Sequence, residues 1–227
     1  MTTTRYRLVI GNKAWSSWSL RPWLAMRRLG LPLEEINVPL RLPGSKAEIL
    51  EHSPSGLVPT LLDGDLAIWD SLAILEYLSE QHPDGQMWPE GRAARAMARS
   101  VSAEMHSGFS ALRQHCSMDL FARSPQATLP AEVEADVRRI VALWRDCRAR
   151  FGGAGPFLFS AFSGADAMYA PVASRFRTYV PDLARYGDDG TAQAYVETVF
   201  AMPEMDAWTE GAGVELAGSA CNTLPAG

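Results

Sequence analysis

The sequence predicts two folds in one chain: an α/β domain of order βαβαββα over residues 1–82 and an all-α domain over residues 92–211. Three observations predict this. Short β-type runs near the N-terminus are each followed by a helical pattern. Asp63-Gly64-Asp65 separates two apolar runs, the strongest short-range mark of a β-hairpin. Beyond residue 91 the periodic segments all have helical spacing, and none reads as a strand.

Taken in order, Tyr6 to Ile10 alternates and carries Val and Ile, and Gly11-Asn12 stops it. After a short loop, Ser19 is placed to cap a helix through Leu20, Trp23, Leu24 and Met26, with Pro22 in its first turn and Gly30 at its end. Leu33 to Val38 reads as a second strand and Lys46 to Glu51 as a short helix before the breaker run Ser53-Pro54-Ser55-Gly56. The hairpin strands are Thr60-Leu61-Leu62 and Leu66-Ala67-Ile68-Trp69. Asp70 and Ser71 then open a helix whose stripe of Leu72, Ile74, Leu75 and Leu78 stops near His82-Pro83.

Pro, Gly and Asp gather between residues 83 and 91, a linker composition at which the domain boundary is expected. Helical spacing follows over Arg92–Arg123, Pro130–Phe151, Asp166–Tyr179, Thr191–Ala201 and Glu204–Thr209. Residues 212–227 are small and polar, so a flexible tail is expected there rather than another element.

At 47% hydrophobic and 21% charged, the chain of 227 residues has the composition of a globular protein with a substantial core. A net charge of -5 leaves no basic field for nucleic-acid phosphates. No apolar stretch reaches the roughly 18 residues of a membrane span, and Met1 to Tyr6 lacks a signal peptide's apolar run, so a cytoplasmic protein is expected. Cys116, Cys147 and Cys221 are far apart and form neither a CxxC pair nor a metal-ligand cluster, so no metal is expected.

Four local motifs lie on these elements. Ser16-Ser17-Trp18-Ser19-Leu20-Arg21 follows the first strand; Leu57-Val58-Pro59-Thr60-Leu61 leads into the hairpin; Asp70-Ser71 opens the next helix; Ser163-Gly164-Ala165-Asp166 has the spacing of a capping box. Together with the element order, they make the chain similar to the cytosolic glutathione transferase superfamily. It resembles a serine-type bacterial member related to the zeta class, with a thioredoxin-like first domain. Trp18 stands where zeta-class isomerases carry a cysteine.

The resemblance implies glutathione as co-substrate, a small electrophile as second substrate, and a homodimer. It assigns Ser16 to the glutathione sulfur, with Ser17 in reserve. Val58, ahead of a cis Pro59, pairs with the cysteinyl backbone, and Asp70 and Ser71 hold the γ-glutamyl end. Glutathione-dependent isomerisation of a maleyl-type acid, or glutathione binding with little catalysis, are the alternatives.

The chemistry is consistent. A free thiol has a pKa of about 8.5, so little thiolate exists at neutral pH. A hydroxyl at a helix N-terminus lowers that value, because both the hydrogen bond and the positive helix end favour the anion. Either serine also serves as an ordinary cap. Trp15 and Trp18 flank the serines and suit the wall of an aromatic or apolar pocket, though Trp is equally ordinary core material. Met105, His106, Phe109 and Arg113 have spacings that share one helical face, where core packing is the commoner use.

Overall fold

The computed structural model describes residues 6–218. Its first part runs β1 (Tyr6–Ile10), α1 (Ser17–Arg28), β2 (Leu33–Asn37), α2 (Ser45–His52), β3 (Thr60–Asp63), β4 (Leu66–Trp69) and α3 (Ser71–Gln81), the βαβαββα order read from the sequence. The sheet order is β2-β1-β3-β4, with β1 and β2 parallel and the other two pairings antiparallel.

The pleat of β1 divides the core. Tyr6, Leu8 and Ile10 point into the large cluster shared with α1 and α3, whereas Val9 packs with Val38, Ile49 and Leu62 under α2. Tyr6 is fully buried, with its hydroxyl 2.8 Å from His82 Nε2 at the far end of α3.

Helices α4 (Arg92–Ser107), α5 (Ser110–His115), α6 (Ala131–Phe151), α7 (Gly164–Tyr179), α8 (Thr191–Phe200) and α9 (Pro203–Gly218) follow. Helix α7 lies against α1 and α4 and is buried along almost its whole length. Trp144 of α6 packs on Tyr169, Phe176 and Tyr195 at ring separations of 5.6, 5.3 and 4.7 Å. The capping box is formed: Asp166 Oδ2 accepts from the Ser163 N–H and hydroxyl, at 2.8 and 2.9 Å.

Three expectations are corrected. Helix α1 begins at Ser17 with Ser16 at its N-cap, so Ser19 is not the cap and Pro22 lies in the second turn. Ser19 faces inward instead, where its Oγ accepts the Gly11 N–H at 3.1 Å and the Ser16 hydroxyl at 2.8 Å. The helix expected over 92–123 breaks at Gly108-Phe109, where Phe109 is left-handed at φ 53° and a Cβ on Gly108 would come 2.7 Å from Glu104 O. Met105 and Arg113 therefore sit on different helices.

The expected tail begins inside a helix, since α9 continues to Gly218, and the remainder of 212–227 lies outside the described residues. What extends α9 is its packing on the first part of the chain. Trp208 meets Trp23 edge-on at 5.0 Å and donates through Nε1 to Lys13 O at 2.9 Å. Glu215 accepts the Lys13 N–H at 2.9 Å and also bonds Asn37.

Candidate active site

Residues 12–16 form a braced loop. The N–H groups of Trp15 and Ser16 donate to Asn12 O, Asn12 Oδ1 accepts the Leu40 N–H at 2.8 Å, and α9 holds Lys13. This fixes where α1 starts and where its positive end points.

A cavity of about 330 Å³ opens beside that helix, lined by Trp18, Val58, Pro59, Asp70, Ser71 and His106 among others. The Val58-Pro59 bond is cis. Val58 has no backbone hydrogen bond within the described residues, so its N–H and C=O are open to an extended peptide. Asp70 is the N-cap of α3: its Oδ1 accepts from the N–H groups of Leu72 at 2.9 Å and Ala73 at 3.4 Å. Its φ of 76° lies in the left-handed region, a conformation costing about 1–3 kcal/mol and concentrated at functional sites. Oδ2 turns to the cavity and lies 2.5 Å from His106 Nε2.

Ser71 is buried, its Oγ accepting from Arg21 Nη1 at 3.4 Å and reaching Met168 Sδ at 3.9 Å. Its hydroxyl is thus engaged by the protein, and what it presents to the cavity is the start of α3.

A second cavity, about 580 Å³, shares Trp18 with the first. Trp15, Ser17, Arg113, Arg175 and Tyr179 contribute to it. Ser17 Oγ accepts from Arg175 Nη2 at 3.2 Å, which leaves its own hydrogen available. Ser16 lines neither cavity, and its hydroxyl is turned to Ser19. The sequence-predicted residues therefore separate: Val58, Pro59, Asp70 and Ser71 share one cavity, and Ser16 stands behind the helix start.

Arg21 and Arg175 are the buried charges of the site. Arg21 stacks 3.9 Å from the Trp18 ring, and its Nε and Nη2 have no hydrogen-bond partner among the described residues. Burial, with Arg175 and Arg113 nearby, lowers its pKa to about 9, although Asp70 opposes the fall. Arg175 donates to Cys116 O at 2.9 Å and Pro171 O at 3.1 Å; burial and then Arg113 lower its pKa to about 10. Sequence reasoning underrates His106 and Arg21 and misses Arg175. A helical spacing shows which residues share a face but not which face meets a cavity.

Among the described residues no His, Cys, Asp or Glu group suited to holding a metal ion occurs, and no helix is long and apolar enough to cross a membrane. Cys116 and Cys147 are buried free thiols, and burial raises both pKa values, that of Cys147 to about 12.

Comparison with known proteins agrees with this fold. The N-terminal domain model of glutathione S-transferases matches residues 15–81 and the C-terminal domain model residues 130–210, together well over half of the chain. The chain is 36% identical to a probable maleylacetoacetate isomerase of Caenorhabditis elegans over 96 residues, 42% of this chain and 44% of that protein. That match spans less than half of the isomerase. It is 27% identical over 202 residues to the glutathione S-transferase GstB of Escherichia coli K12, covering 82% of this chain and 97% of GstB. A glutathione transferase homologue from Burkholderia, solved with bound glutathione, superposes with a TM-score of 0.68 at 19% identity over 92% of this chain and 98% of that one. The chain therefore belongs to the glutathione S-transferase family, whose co-substrate is glutathione.

Proposed function

We propose that the chain conjugates glutathione to a small electrophile, with the peptide in the 330 Å³ cavity and its sulfur at the start of α1. The observation that carries this reading is the convergence, in one cleft, of three groups that match the three parts of the peptide. The unpaired main chain of Val58 suits the cysteinyl backbone, and Asp70 Oδ2 suits the α-ammonium. The N-terminus of α3 at Ser71 suits the α-carboxylate, because it offers the Ser71 N–H, which has no hydrogen bond among the described residues, and a positive helix end.

The protein's task is to favour the thiolate. Helix α1 points its N-terminus at this region, Arg21 and Arg175 add buried positive charge, and a hydroxyl donates to sulfur. Ser16 is that hydroxyl on the motif. Ser17, whose oxygen is held by Arg175, is the alternative that the geometry raises. Conjugation then joins sulfur to the electrophilic carbon as its leaving group departs.

Ultraviolet difference titration of bound glutathione tests the assignment. In the wild type the thiol should titrate about one unit or more below its free value, and Ser16→Ala should bring it most of the way back to the free value. If Ser17→Ala restores it instead, the role passes to Ser17. If neither does, the helix end and the arginines hold the thiolate without a hydroxyl. The match to an isomerase-named relative favours one second reading, glutathione-dependent isomerisation of a maleyl-type acid. A direct isomerase assay separates the two.

A further inference from the structure

The 580 Å³ cavity has an unusual charge balance for a pocket that a hydrophobic electrophile would enter. Arg41, Arg113 and Arg175 all line it, against a single carboxylate, Asp119. One oxygen of that carboxylate is held by its own loop, since Asp119 Oδ1 accepts the N–H groups of Phe121 at 2.9 Å and Ala122 at 3.1 Å. None of the three guanidinium groups has a carboxylate partner among the described residues, whereas Arg99 and Arg139 are both paired with glutamates.

Arg175 is 4% exposed, and burying a cation without a counter-ion is costly. Its donors serve Cys116 O, Pro171 O and Ser17 Oγ, all neutral acceptors. Arg113 is tethered at one end only: Nε donates to Gly108 O at 3.1 Å, and its terminal nitrogens carry no hydrogen bond among the described residues. The rest of the wall is aromatic, with Trp15, Trp18 and Tyr179, and the Arg113 guanidinium lies 5.7 Å from the Trp18 ring centroid.

We infer that this cavity is an anion site for the second substrate, and that the electrophile is a planar aromatic bearing a carboxylate or sulfonate, held by Arg113 and Arg175 against the tryptophans. The inference rests on the transferase reading for its chemistry but not for its binding. A guanidinium offers paired, co-planar donors matched to a carboxylate, and aromatic faces take the ring. An anion also offsets the burial, and after it the repulsion from neighbouring arginines, that depress Arg175 and Arg21. In the reaction, the glutathione thiolate attacks the ring carbon bearing a halide. The C–S bond forms, the C–halogen bond breaks, halide leaves with the electron pair, and the thiol proton has already passed to solvent.

The first test is binding without turnover. Quenching of tryptophan fluorescence by 3,5-dinitrobenzoate and by its neutral counterpart 3,5-dinitrobenzamide compares anion with isostere in the absence of glutathione. The wild type should bind the benzoate about tenfold or more tightly, the size of one charge-assisted hydrogen bond. Arg113→Gln should abolish the preference, and Arg113→Lys should keep part of it. Arg113 is the position to change because Arg175 also holds two backbone carbonyls, so its loss risks the fold. Equal binding of the two probes, or a preference that survives Arg113→Gln, overturns the inference.

The second test adds glutathione and compares 4-chloro-3,5-dinitrobenzoate with its methyl ester by chloride release. The acid should show the higher kcat/KM, and Arg113→Gln should raise KM for the acid alone. An anion preference in binding with no turnover of either compound leaves the anion site standing and removes the transferase reading. Turnover that favours the ester does the reverse.

Discussion

Two aspartates stand at the beginnings of helices in this chain, and they have opposite uses. Asp166 opens α7 and Asp70 opens α3. Both accept backbone N–H groups, as an acid at a helix N-terminus should. Asp166 is 1% exposed and spends both oxygens on protein: Oδ1 on the Leu158 N–H and the Tyr195 hydroxyl, Oδ2 on Ser163. Asp70 spends one oxygen on its cap, and the other bonds His106 Nε2 at 2.5 Å in the wall of a cavity. A cap whose carboxylate is fully consumed inside the core is structure; one whose second oxygen meets a histidine on a cavity wall, on a left-handed backbone, is the one we propose as a binding group.

The contrast breaks most sharply at Asp166. Asp166→Ala leaves four buried donors without their acceptor, and the chain should lose about 2–4 kcal/mol of stability, read as a fall in the denaturant midpoint at unchanged slope. A loss no larger than that of an exposed cap would make the two aspartates alike.

Acid sharpens the same comparison. Burial raises the Asp166 pKa from its ordinary 3.8 to about 6, although its hydrogen bonds pull the other way. The folded chain therefore holds this proton more tightly than the unfolded chain. The associated stability is fully present below 3.8 and is lost as pH rises through about 6, a change on the order of 3 kcal/mol at most. The stability difference between wild type and Asp166→Asn should accordingly shrink between pH 4 and pH 6. A constant difference would mean that the carboxyl is not desolvated as its burial requires.

At Asp70 the expected effect on the fold is smallest. Asn is also a good cap and tolerates positive φ, so Asp70→Asn should change stability by no more than about 0.5 kcal/mol. Glutathione affinity should nevertheless fall about tenfold or more, measured by calorimetry, because the partner of the ammonium is gone. Unchanged affinity would place the γ-glutamyl end elsewhere.

Much of this was legible in the residues. The Asp63-Gly64 turn, the alternation in β1 and the Ser163–Asp166 spacing are local patterns whose physics acts over a few residues, and each element formed where its pattern lay. Misreadings arose where a neighbour decided. Ser19 looks like a cap because it precedes the apolar stripe, yet Asn12 O captures the Ser16 N–H and starts α1 earlier. Residues 212–218 look like a tail because they are small, yet Glu215 and Trp208 reach Lys13 across the fold.

The sequence by itself determined the order of elements, the α/β and all-α character of the two parts, and the motifs that carry the family resemblance, because helix spacing, strand alternation and turn chemistry are properties of neighbouring residues. Only the tertiary structure decided that Arg41, Arg113 and Arg175 surround one cavity, that Asp70 meets His106, and that Ser17 rather than Ser16 lies on a cavity wall. Those relations join residues up to 158 positions apart, as Ser17 and Arg175 are. Proximity of that kind is set by how α1, α5 and α7 pack, which depends on the whole core rather than on any local pattern.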